Sequence, residues 1–108
     1  MSDKDRSIII RFKELIPEHI RKRLVKIIIF GSRSKKPKSR NSDLDIAVLV
    51  KGKTPQLEKS LEDLAYTVMW ERDFKPVISL KIFAQQDFDR RYKQGFSFYR
   101  HVSEGIVV

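Results

Sequence analysis

The chain has 108 residues, with 23 Lys plus Arg against 14 Asp plus Glu and 41% hydrophobic residues. That length holds one domain, 1–108, with one modest core, and the hydrophobic share is too high for a disordered segment. The absence of cysteine excludes disulfides and Cys-ligated zinc, no apolar run reaches the ~20 residues of a membrane span, and a net charge of +9 favours anionic partners: nucleic acid, nucleotide phosphates or an acidic protein.

In chain order, the polar, mixed-charge start Met1–Arg6 does not read as a signal peptide, so a cytoplasmic protein is expected. Ser7 is a candidate N-cap for a first helix whose apolar face is Ile8, Ile9, Phe12, Leu15 and Ile16. Pro17 ends it, and a short helical stretch continues to about Arg23. Val25–Phe30 is short, β-branched and apolar, and reads as a buried strand. Ser34–Ser42 contains Pro37 and basic residues without periodicity, and reads as loop. A second buried strand covers about Leu44–Val50, and Lys51-Gly52-Lys53 turns the chain.

Thr54 and Pro55 supply an N-cap and a first helical residue. Leu57, Leu61, Leu64, Ala65 and Val68 recur at helical spacing, which predicts a helix to about Glu71. A third strand is expected at Val77–Phe83 and a short helix at Gln85–Lys93, broken by Gly95. Ser97–Ser103 reads as a last helical segment, and Ile106–Val108 as a short edge strand. The pattern is α/β, a small sheet packed on helices.

Chemistry concentrates where the first strand ends and the second begins. Gly31-Ser32 closes one apolar run, and ten residues later Asp43-Leu44-Asp45 opens the next. Residues i and i+2 of a strand share a face, so the two carboxylates project together, roughly 6–7 Å apart at the backbone. Such a pair suits Mg²⁺, which takes oxygen ligands and shares its remaining positions with water and phosphates. Two ions about 3.5–4 Å apart would fit a two-metal centre. Gly31 admits a phosphate to the backbone, and Ser32 offers a hydroxyl and an N–H. Arg33, Lys36 and Arg40 are placed to neutralise a triphosphate, with Arg33 preferred because its guanidinium binds in two prongs. Either half of the motif alone is common at strand ends; their pairing across a basic loop carries the reading. If both halves line one cleft, the two strands must be antiparallel and the sheet mixed.

The stretches Ile29-Phe30-Gly31-Ser32-Arg33 and Asn41-Ser42-Asp43-Leu44-Asp45-Ile46-Ala47-Val48 resemble the minimal nucleotidyltransferases of the polymerase-β superfamily. The resemblance implies the polymerase-β-like fold. It also implies Mg²⁺-dependent transfer of a nucleoside monophosphate, with ATP as expected donor, to an acceptor hydroxyl. Small members of this family pair with HEPN-domain proteins, and some act as antitoxins that adenylylate a tyrosine of the toxin. Nucleic acid is the less favoured acceptor. The family's third carboxylate, near the third strand, holds the catalytic ion and takes the acceptor's proton. In this chain that position reads as Lys75, with Asp73 two residues earlier as the candidate acid. A degenerate member serving as a binding subunit is the alternative. His19 and His101 read as surface residues, Trp70 as packing between helix and sheet, and Phe96, Phe98 and Tyr99 as a small core.

Overall fold

The computed structural model describes residues 1–31, 33 and 42–108. Five helices and four strands are formed by them. Helix α1 covers Asp3–Leu15, α2 Glu18–Arg21, β1 Leu24–Phe30, β2 Leu44–Val50, α3 Pro55–Glu71, β3 Ile78–Ala84, α4 Gln85–Lys93, α5 Ser97–Ser103 and β4 Ile106–Val107.

Helix α1 starts four residues before the expected cap. Ser2, not Ser7, accepts a hydrogen bond from the Asp5 amide at 3.1 Å, and Asp3 and Asp5 lie in the positively polarised first turn. Ser7 is inside the helix and donates its hydroxyl back to the Lys4 carbonyl. Helix α3 begins as its sequence predicts: Thr54 Oγ1 accepts from the Leu57 amide at 3.1 Å, with proline at the first turn. Strand β3 begins one residue later than expected, after the Lys75-Pro76 segment, while β2 has the predicted bounds.

The sheet order is β3-β2-β1-β4. Strand β1 is antiparallel to β2 and to β4, and β2 is parallel to β3, so the sheet is mixed as expected. Side chains alternate across it. One face sends Ile27, Ile29, Ile46, Val48 and Ile82 against the apolar sides of α1 and α3, where Phe12 and Leu61 are fully buried. Burying each such side chain contributes roughly 1.5–3 kcal/mol, so this face holds most of the core. The other face carries Ile28, Phe30, Ala47 and Leu49 and is covered by Phe88 of α4 and Val102 of α5. Among the described residues no helix is long and apolar enough to cross a membrane.

Candidate active site

Antiparallel pairing sets Asp45 opposite Phe30, and parallel pairing sets it opposite Ser79. Phe30, Asp45 and Ser79 therefore form a row across three strands, on the face covered by α4 and α5. Gly31, one residue beyond Phe30, has φ +79°, the left-handed region. A Cβ built there would overlap Asp45 Oδ2. The glycine thus serves two needs, turning the chain out of β1 and letting its backbone lie against the carboxylate.

Asp45 is partly buried and Asp43 is exposed. Burial, reinforced by the charge of Asp43, raises the Asp45 pKa above the ordinary carboxylate value. Lys81, the Ser79 hydroxyl and His101 act in the opposite direction. The two aspartates expected to act together do lie together, and their mutual repulsion is what a cation relieves. His101 lies on α5 with its ring edge-on to Phe30, centroids 6.1 Å apart, over this same face.

Arg33 does not match the expectation of a triphosphate ligand. Its Nη2 and Nε donate to Asp5 Oδ1 and Oδ2 at 2.7 and 3.1 Å. Its Nη1 donates to the carbonyl and hydroxyl oxygens of Ser42 at 3.1 and 3.2 Å. The side chain is 7% exposed and its partner carboxylate is fully buried. A guanidinium this committed braces Ser42, the residue before Asp43, against α1.

The position facing Asp45 on the third strand is Ser79, which corrects the placement of Lys75 there. Lys75 is exposed and precedes the sheet, and the groups that act on Asp45 are Asp43, Lys81, Ser79 and His101. Asp73 is exposed too, in a left-handed turn at the end of α3, where it and Phe74 have φ 54° and 58°. That turn, rather than an early strand start, is why Asp73 does not share the Asp45 row. Ser32, Lys36 and Arg40 lie outside the described residues. Ser79, Lys81 and His101 are the members of the site that sequence reasoning missed. Counting back by twos from Phe83 would have shown that Lys81 and Ser79 share one face.

A cleft of about 680 Å³ lined by Lys51, Lys53, Gln85 and Asp87 opens at the opposite end of β2 and β3 and contains none of these groups. Trp70 does not pack between helix and sheet: it is 63% exposed and stands edge-on to Tyr66 and Phe74. Of the later aromatics, Tyr99 packs on the second core, whereas Phe96 is 51% exposed.

Two carboxylates backed by a glycine that leaves room for close approach form an oxygen donor set that fits a divalent cation also bound to phosphate. Among the described residues no third His, Asp or Glu joins them. The family described as polymerase beta, nucleotidyltransferase matches residues 13–95, more than half of the chain. No curated protein and no solved structure matches it significantly.

Proposed function

Because the chain belongs to the polymerase-β nucleotidyltransferase family, we propose that it moves AMP from ATP to an acceptor hydroxyl. The single observation that carries this reading is the carboxylate of Asp45 seated against Gly31 with Asp43 beside it. In the transfer, the acceptor oxygen bonds to the α-phosphorus as the bond from that phosphorus to the β-bridging oxygen breaks. Pyrophosphate leaves, and the hydroxyl proton passes to water. Mg²⁺ held by Asp43 and Asp45 would offset the phosphate charge in this exchange. Gly31 and Ser32 contact the phosphates, and Lys36 and Arg40 neutralise the triphosphate. Arg33 holds the Ser42–Asp43 backbone in place rather than touching the nucleotide.

The acceptor in this reading is a tyrosine of a HEPN-domain toxin, with this chain as its antitoxin in the cytoplasm. The resemblance of the Gly31-Ser32 and Asp43-Leu44-Asp45 motif to the minimal nucleotidyltransferases supports it. The presence of Ser79, and not an acid, opposite Asp45 favours a second reading, a binding subunit of a HEPN-type complex that has lost turnover.

Incubation with α-labelled ATP, Mg²⁺ and the HEPN protein separates the two. Label on the partner, lost in Asp43→Ala/Asp45→Ala, is the expected result. Binding of the partner without label supports the second reading, and label on nucleic acid alone would change the acceptor.

A further inference from the structure

We propose that the surface around the α4–α5 turn is where the acceptor protein docks, and that the face it presents there is acidic around an apolar centre. The inference rests on the reading of the acceptor as a hydroxyl of a partner protein, and names where that partner sits.

One continuous stretch builds this surface. Helix α4 ends at Lys93, Gly95 turns the chain with φ +85°, and α5 begins at Ser97. The Phe96 amide closes the turn by donating to the Arg91 carbonyl at 3.3 Å. Tyr92, Phe96 and Phe98 are all exposed, Phe96 the most at 51%. Exposed apolar residues scattered singly need no explanation, whereas three rings side by side mark a contact surface. Its position ties it to the site. Phe98 and His101 meet the Phe30 ring edge-on, with centroids 6.0 and 6.1 Å away, and Phe30 is the register partner of Asp45. A protein seated here borders the row that holds the Asp45 carboxylate.

Charge identifies the occupant. From Arg90 to Ser103 the chain carries Arg90, Arg91, Lys93 and Arg100 and no carboxylate. Asp87 answers Arg90 at 3.2 Å. Arg91 and Arg100 instead lie over the rings of Tyr99 and Tyr92, 5.8 and 5.2 Å from their centroids. Stacking holds a guanidinium in place and leaves its N–H edge to grip a carboxylate in two prongs. Complementary charge on a partner is therefore negative.

The rings favour a protein over single-stranded nucleic acid, which needs successive open ring faces for its bases. Phe98 and Tyr99 are held among Phe30, Phe83 and Phe88, and Arg100 covers a face of Tyr92. Phe96 is left as the protruding ring, with Tyr99 at 6.4 Å as its aromatic neighbour. One apolar anchor among arginines, with Lys93 the one lysine of the stretch, has the composition of a protein interface centre.

The test titrates the full chain with the HEPN-domain protein of the labelling experiment by calorimetry. Arg91→Glu/Arg100→Glu should raise the Kd at least about 30-fold, and Phe96→Ser about 10-fold. Both should keep the wild-type circular dichroism and affinity for Mn²⁺-ATP. Lys13→Glu/Lys22→Glu makes the same charge change at exposed positions beside α1 and α2, and should alter the Kd by no more than a few-fold. An equal loss there would show that net charge, not this surface, drives association. Unchanged binding in the folded Arg91→Glu/Arg100→Glu variant overturns the proposal, as does a wild-type chain that does not bind. So does a loss confined to single-stranded RNA, which would assign the surface to nucleic acid. Wild-type Kd should also rise with salt, and a salt-independent Kd counts against the proposal even if a variant fails to fold. The two readings fail separately. Binding through this surface without label on the partner would sink the transfer reading and leave the surface. Full binding and label in Arg91→Glu/Arg100→Glu would do the reverse.

Discussion

Arg33 grips Asp5 in two prongs across 28 residues of sequence, and both side chains are sealed from solvent. The same guanidinium holds Ser42, so the first helix is tied to the residue that precedes Asp43. Breaking a buried pair leaves a charge without compensation, which costs about 3–5 kcal/mol. Asp5→Ala is therefore expected to lower the unfolding free energy by about that amount. It should also weaken metal binding at Asp43. Chemical denaturation gives the first quantity and Mn²⁺ titration the second. An unchanged denaturation midpoint would show that the pair is dispensable.

Gly31→Ala meets two penalties at once. The left-handed backbone at φ +79° costs a side chain roughly 1–2 kcal/mol, and the added Cβ runs into Asp45 Oδ2. Displacing the Asp45 carboxylate should reduce nucleotidyl transfer about 10²-fold, in line with the effect of small misplacements of reacting groups. Stability should fall by only about 1–2 kcal/mol. The comparison of kcat with thermal midpoint checks the split: a loss of activity no larger than the loss of folded protein would contradict it.

Asp45 gives a pH dependence whose sign follows from its environment. Burial first, then Asp43, raise its pKa in the folded chain. An acid raised in this way binds more protons folded than unfolded, so stability falls as pH climbs through that window. Its favourable contribution is complete below the ordinary value of 3.8 and lost once pH passes the raised one. In metal-free protein, Asp45→Asn should therefore raise the thermal midpoint near neutral pH, and the gain should shrink as pH falls through the raised value towards 3.8 and vanish below it. Melting curves in chelator across that range measure it. A gain independent of pH would point to some cause other than ionisation.

Asp73 and Lys75 should prove dispensable for chemistry. Asp73→Gly relieves a left-handed residue at φ 54° and is expected to stabilise by up to about 1 kcal/mol, with Mn²⁺ binding unchanged. Lys75→Asp should give no gain in transfer, because Lys75 lies before the sheet and outside the groups that act on Asp45. A gain in transfer from Lys75→Asp would return the third-acid position to that turn.

Strand β2 and helix α3 were legible because each signal is local. Leu44–Val50 is a continuous apolar run, and Thr54-Pro55 marks a helix start whatever surrounds it. The Gly31 and Asp45 relationship was legible because β1 and β2 are consecutive strands that pair antiparallel, which sets the end of one beside the start of the other. Ser79 was not, since the parallel register of β2 and β3 is set by the packing of α3 between them in sequence. Arg33 was misread for a related reason. An arginine beside a phosphate motif looks available until a distant carboxylate, Asp5, is folded onto it. The helix start moved from Ser7 to Ser2 because two serines competed and the acidic first turn favoured the earlier one.

The turn that carries Asp73 and Phe74 also fixes the optical character of the protein. Trp70 is the single tryptophan of the chain, it is 63% exposed, and Phe74 stands against it with ring centroids 5.3 Å apart. Its fluorescence is therefore a reporter of the outer end of α3 and not of the core. The carboxylates lie on the other face of the sheet, so nucleotide binding should leave the emission nearly constant. A partner that covers this aromatic corner would shift it to the blue, marking where that partner sits without any label.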